Sequence, residues 1–222
     1  ASVPETAEIH AETEAVLAKD SLMLDSKTVK ICADKVVVSK LKSIMDKDST
    51  VTAFFRIDFF KGKNKIYSHP VQKAAYGFDD SAEWSISQEF MADNDRKNID
   101  KRFVHLDNGI AACGYSHTEF LFFLGEKDVQ LISEWESMGD SGYGVDSEFM
   151  PKFKSDPIVS FAVRTVEVSP DETAKDSLDR LIISYSDSVR YDFSKNRWKK
   201  TPLSAKGKAY RTEKRLFDEY YK

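Results

Sequence analysis

Cysteine is scarce in this chain: Cys32 and Cys113 are the 2 present among 222 residues. That excludes a disulfide-dense scaffold. One bridge between them would close a loop of about 80 residues, which the chain-entropy account values at roughly 4.5 kcal/mol. Two free thiols are the alternative. With only 4 histidines, a closed zinc site has few ligands to draw on. Long apolar runs are missing too. The five-residue run Phe120–Leu124 falls far short of the roughly 20 residues a bilayer crossing needs, so no transmembrane segment is expected. There is no Gly-rich phosphate loop and no repeat of fixed period. Charge of one sign is also lacking: 33 basic residues face 37 acidic ones, a net of −4. That balance speaks against nucleic acid as the partner of the whole molecule.

What is present describes a folded, β-rich protein. Hydrophobic residues make up 41% and aromatics 12%, with 15 Phe and 9 Tyr, a content that disordered chains lack. The stretch Thr118–Glu136 is the centre of the pattern. Its apolar run Phe120–Leu124 has hydrophobic residues on both faces, as a strand in the middle of a covered sheet would. The polar break Gly125-Glu126-Lys127-Asp128 then leads into Val129–Trp135, where Val129, Leu131 and Ser133 alternate with Gln130, Ile132 and Glu134. This predicts a core hairpin.

The rest of the chain falls in around it. Residues 1–20 carry five acids against Lys19; Pro4 and the thin stripe Ile9, Val16, Leu17 predict a marginal helix. Residues 21–48 read as a strand followed by a short helix, since Val37, Leu41, Ile44 and Met45 also fit helical spacing. Val51–Lys61 is a strand that turns through Lys61–Asn64 into a second one. Residues 76–100 are polar and irregular, anchored by Trp84, Ile86 and Phe90. Asp107-Asn108-Gly109 supplies the turn residues of a hairpin. Residues 151–156 read as a linker, with a subdivision of the body near 150–157. Ile158–Val168, Leu181–Tyr185 and Val189–Phe193 complete the strands, and Trp198 closes the last hairpin. Tyr210, Phe217 and Tyr221 are spaced for a C-terminal helix over 201–222. The expected fold is mainly β, an antiparallel sandwich- or barrel-like body over 21–200 with short helices near both termini.

Several constellations bear on chemistry. Gly139-Asp140-Ser141-Gly142 resembles the segment around the nucleophile of chymotrypsin-like serine proteases, in which backbone N–H groups beside the Ser bind the oxyanion. The resemblance covers four residues. Tyr143 stands where a glycine usually follows, and Ala111-Ala112-Cys113 has Cys where that family's Ala-Ala-His puts its base. The bland reading is an exposed turn. Cys113 and His117, with His105 upstream, suggest a thiolate–imidazole pair, but four residues along one strand separate the side chains by about 13 Å. Asp140, Asp146 and Glu148 among glycines offer oxygens for Ca2+ without matching the EF-hand pattern; otherwise no cofactor is expected. Glu134 and Glu136 share a strand face about 7 Å apart, a spacing compatible with glycoside chemistry and equally with a solvated face.

The most informative charge feature is Lys195–Arg215, with nine basic residues against the single Glu213 and with Trp198 and Tyr210 interleaved. Lys199, Lys200, Lys206 and Lys208, with those two aromatics, form the candidate binding site for another protein with an acidic surface. The chain begins at Ala1 without Met, and small residues flank secretory cleavage sites. The resulting expectation is a non-enzymatic binding or inhibitory module acting by protein–protein contact, in the periplasm of a bacterium or secreted, with Cys32 and Cys113 joined. The rival expectation is a hydrolase in which Ser141 or Cys113 meets a His from a distant segment.

Overall fold

The computed structural model describes residues 17–45, 47, 50–76, 82–90, 100–110, 114, 116–152, 157–173 and 180–221. Thirteen strands and one helical turn occur among them: β1 (Leu17–Met23), β2 (Lys35–Met45), β3 (Thr50–Lys61), β4 (Asn64–Tyr76), β5 (Glu83–Ser87), β6 (Phe103–Gly109), β7 (Ser116–Leu124), β8 (Val129–Asp140), β9 (Tyr143–Lys152), β10 (Ser160–Pro170), β11 (Arg180–Ser194), β12 (Arg197–Pro202), β13 (Arg211–Leu216) and α1 (Phe217–Tyr220). All pairings are antiparallel. The first four strands make one sheet in chain order, and β5 to β12 make a second, also in chain order, with β13 joined to β11. β12 and β13 share one edge of β11, at Val189–Ser194 and Arg180–Tyr185 respectively. The sandwich-like, mainly β body is the one the sequence predicts.

The layers follow from alternation. In β3, Phe55, Ile57 and Phe59 point inward and meet Val36 and Val38 of β2, Val104 and Leu106 of β6, and Phe120, Phe122 and Leu124 of β7. On the opposite face of β7, Leu121 and Phe123 join Phe103, Ile132, Trp135, Phe161, Tyr191 and Trp198 in a second core. Residues 118 to 124 are all buried, so β7 is covered on both faces as expected. The second sheet folds back over that face. Its last strand is tied to β8 by Gln130, whose Oε1 accepts from Trp198 N and whose Nε2 donates to Trp198 O, both at 3.0 Å. The Tyr191 hydroxyl donates to Ile132 O at 2.9 Å. Ile132 lies at a bulge, where Leu121 and Phe122 face Ser133 and Leu131. That extra residue turns Ile132 and Trp135 into the same core, while Leu131 is half-buried against the first.

Four expectations are corrected. Residues 17–20 belong to β1; the earlier part of the predicted N-terminal helix lies outside the described residues. Residues 35–45 are strand throughout, because β3 offers a paired edge along almost the whole of β2; Ile44 and Met45 of the helical stripe are exposed. Asp107-Asn108-Gly109 is not a turn but the end of β6, with Asn108 buried and its Nδ2 donating to Glu83 O at 3.1 Å. The predicted C-terminal helix is β13 followed by the single turn α1, because β11 has an edge free to pair with 211–216. The tight turns lie elsewhere. Gly62 (φ 58) opens a two-residue turn between β3 and β4, as type II′ requires, and Ser141-Gly142 (φ 51, 86) and Lys195-Asn196 (φ 53, 63) have the two positive φ values of type I′. No helix among the described residues is long and apolar enough to cross a membrane.

Candidate functional site

The odd-numbered face of β7 changes character along its length. Leu121 and Phe123 enter the aromatic core, whereas His117 and Glu119 begin a polar ladder. His105 Nε2 lies 2.8 Å from Glu119 Oε2, and the Ser137 hydroxyl donates to Glu119 Oε1. His117 Nδ1 lies 2.9 Å from Asp107 Oδ1, and its Nε2 lies 2.9 Å from Ile110 O. Each side-chain pair is a diagonal neighbour across adjacent strands: 105 and 107 on β6, 117 and 119 on β7, 137 on β8. Gly109 makes room for this, since a Cβ there would stand 2.3 Å from the His117 ring. The His105 ring stacks on Trp135 at 5.8 Å and 12°. Burial alone would raise the Glu119 carboxyl, but the His105 and Ser137 hydrogen bonds and the two imidazoles hold it below its usual value.

Beside this ladder the sheet opens. β8 and β9 pair only at Met138–Val145, Gly139–Gly144 and Asp140–Tyr143. Gly144 (φ 147) approaches β8 so closely that a Cβ would lie 1.9 Å from Met138 O. The space around the parting strands is a groove of about 520 Å³, lined by His117, Ser137, the β8–β9 hairpin from Met138 to Glu148, Val166 and Val168 of β10, and Tyr220 and Tyr221. The C-terminal turn is seated on the hairpin: the Tyr221 hydroxyl donates to Gly142 O, and the Phe217 ring occupies the space a Cβ on Gly142 would need.

Ser141 caps this hairpin as an exposed type I′ turn residue and donates to Asp140 Oδ1 at 2.9 Å. No histidine among the described residues is hydrogen-bonded to it, so the protease-like tetrapeptide is a turn. Ser137 does not replace it as a nucleophile. Its hydroxyl meets a carboxylate with the imidazole on the far side, the reverse of the order that activates a serine, and the His117 nitrogens face Asp107 and Ile110 O. Cys32 is a free, half-buried thiol whose pKa burial pushes up, which disfavours the reactive thiolate. Cys113, its expected disulfide partner and the other candidate nucleophile, lies outside the described residues.

The expected Ca2+ ligands Asp140, Asp146 and Glu148 all line the groove but have other partners. Glu148 Oε2 accepts from Arg164 Nη2 at 2.5 Å, and Asp146 Oδ1 accepts from Ser147 N at 2.6 Å. No group of three metal-ligating residues occurs among the described residues. Asp146 reaches solvent yet is walled in by the groove; that crowding and then the Glu119 charge raise its pKa, against the Ser147 N–H. Trp135 Nε1 is buried without a partner at hydrogen-bond distance, although its dipole still favours the Asp146 anion. Glu134 and Glu136 are exposed, and Glu136 accepts from Thr118 Oγ1 at 2.8 Å.

The basic segment is divided by the fold. Trp198, a candidate for the binding site, is a core residue 4% exposed, 4.9 Å from Phe161. Strand alternation sends Lys199 and Lys200 to opposite faces of β12; Lys200 Nζ lies 6.0 Å from the ring of Tyr191, its cross-strand partner. Lys206 and Lys208 lie in the loop 203–210, held to β11 by Leu203 N to Ser188 O (2.7 Å), Gly207 N to Asp187 Oδ1 (2.7 Å) and Tyr210 N to Tyr185 O (3.0 Å). The neighbouring carboxylates are taken: Asp128 by Arg197, Asp171 by Lys214, Asp192 by Arg190, Glu213 by Arg211 and Arg215, and Asp187 by the Gly207 N–H rather than by a cation. Among the described residues Lys195, Lys199, Lys200, Lys206 and Lys208 are left without a carboxylate partner, Lys200 having the Tyr191 ring instead. Leu203 and Tyr210, 56% and 48% exposed, lie on the same loop. The sequence reading missed the ladder; of the groove it singled out the acidic residues Asp140, Asp146 and Glu148 among glycines. No protein family, curated protein or solved structure matches the chain.

Proposed function

We propose that the protein is a non-enzymatic binding or inhibitory module, and that its partner is a protein with an acidic surface that meets the face around Lys199, Lys206 and Lys208. The observation that carries this reading is the uneven pairing of charge. Among the described residues Asp128, Asp192 and Glu213 are held by arginines, Asp171 by Lys214 and Asp187 by the Gly207 N–H, yet Lys199, Lys206 and Lys208 have no carboxylate partner. Leu203 and Tyr210 are exposed on the loop that carries Lys206 and Lys208. Apolar contacts ringed by charge are the anatomy of a protein interface, and lysines at its rim steer encounter more than they hold the complex. β12 is also an edge strand, where lysines discourage strand-on-strand aggregation. That role accounts for Lys199 but not for Lys206 and Lys208, which lie in the loop. The test is equilibrium binding of the triple variant Lys199→Glu, Lys206→Glu, Lys208→Glu to an immobilised Asp/Glu-rich polypeptide, with heparin as competitor. Loss of binding in the variant, with little displacement by heparin, is expected. Equal binding by variant and wild type, or equal preference for any polyanion, would overturn the reading.

A further inference from the structure

The groove between the β8–β9 hairpin and α1 has a chemistry opposite to that of the lysine face. At about 520 Å³ it falls in the range of small-molecule sites, roughly 300–1,000 Å³. Among the described residues three carboxylates line it, Asp140, Asp146 and Glu148, and no lysine or arginine does. Arg164 answers Glu148 from the neighbouring strand. Among the described residues the hydrogen-bond donors to Asp140 and Asp146 are uncharged, Ser141 Oγ and Ser147 N. His117, the basic group on the wall among the described residues, is already engaged by Asp107 and Ile110 O. Two carboxylates thus face a concave space with no lysine or arginine on its wall among the described residues, and the His105 imidazole acts on Asp146 only through space.

The same walls carry tyrosines. Tyr143 stands on β9, while Tyr220 and Tyr221 lie on and just after α1, their rings 4.8 Å apart and nearly perpendicular at 84°. Rings at right angles present differently directed π-faces, and π-faces attract ammonium groups, most strongly where water is partly excluded. A metal ion would want converging lone pairs instead, and no three-ligand group occurs among the described residues. We propose that this groove binds an organic ammonium ion, held by the faces of Tyr143 and Tyr220 and counter-charged by Asp146 and Asp140. The destabilised anion of Asp146 gains most from such a partner, because crowding and the Glu119 charge oppose its ionisation when the groove is empty. The site is independent of the lysine face, being of opposite sign and built from other residues.

A quaternary amine and the side chain of a lysine on a polypeptide share this chemistry. The test is a titration of the full chain, followed by tyrosine fluorescence and calorimetry, with choline, its neutral isostere 3,3-dimethyl-1-butanol, and a short lysine-containing peptide. Choline, the peptide or both should bind, and the isostere at least about tenfold more weakly. Binding by choline alone assigns a free amine as ligand, and binding by the peptide alone assigns a polypeptide. Asp146→Asn, an exposed substitution that leaves the fold intact by circular dichroism, should weaken binding about tenfold or more; Glu126→Gln, outside the groove, should not. Isostere and choline binding equally, no binding of either cation, or full affinity in Asp146→Asn would overturn the proposal. None of these results depends on binding at the lysine face.

Discussion

Asp171 shows how single residues set the behaviour of the chain in acid. Its carboxylate is almost fully buried and accepts from Lys214 Nζ at 2.7 Å and Thr173 Oγ1 at 2.5 Å, which hold its pKa down at about 2. A folded carboxyl depressed below its unfolded value of 3.8 contributes stability fully above that value and loses it as pH falls towards 2. Asp171→Asn should therefore be less stable than wild type at pH 7, with the gap closing between roughly pH 4 and 2. Denaturant titrations at stepped pH measure this; a gap that stays constant would show that the charge contributes nothing. Gly109 poses a steric question of the same scale. A Cβ there would overlap the His117 ring at 2.3 Å, so Gly109→Ala should cost about 1–3 kcal/mol, the range of overpacking. Retention of full stability would mean that the ring can move away.

At the scale of elements, the second core is closed by a side chain acting in place of a strand. Gln130 exchanges two hydrogen bonds with the backbone of Trp198. Gln130→Leu keeps the bulk but removes both bonds, and should cost about 1–3 kcal/mol at roughly 0.5–1.5 per bond. Faster amide hydrogen exchange confined to β12 is expected, and unchanged protection there would contradict the role. In the first core, Phe122 is fully buried and packs 5.1 Å from Phe59; Phe122→Ala should cost about 3–5 kcal/mol by thermal or chemical unfolding, and a loss under 1 would show that the layers close up around the gap. These two elements also differ in how much the sequence disclosed. β7 was legible because its continuous apolar run demands cover on both faces. The ends of β6 and β13 were not. Asp107-Asn108-Gly109 has the composition of a turn but serves the His117 ring and the Asp107–His117 pair, and the Tyr210, Phe217 and Tyr221 spacing matches a helix by coincidence. The ladder of His105, Glu119 and Ser137 could not be read locally at all, since its members are joined only by strand register, bulges included.

For the whole molecule, charge is sorted rather than spread. Among the described residues the groove beside α1 is lined by carboxylates without lysine or arginine. By contrast, β12 and the loop after it carry lysines whose neighbouring carboxylates Asp187 and Asp192 are engaged by the Gly207 N–H and Arg190, so the net of −4 conceals two regions of different charge. Individual exposed pairs contribute only about 0–1 kcal/mol, so fold stability gives little reason for that separation, whereas recognition does. The lysines were visible in the sequence as one run; their division between the two faces of β12 and an anchored loop was not, because it depends on where strand pairing stops. The proposed role of the lysine face is to steer an acidic protein partner. It is tested most directly by the association rate constant with an Asp/Glu-rich polypeptide, measured at about 50 and 200 mM salt, where the screening length falls from roughly 14 to 7 Å. Wild type should slow severalfold over this range, and the Lys199→Glu, Lys206→Glu, Lys208→Glu variant should already be slow at the lower salt. Identical rates for variant and wild type at both salts would contradict it.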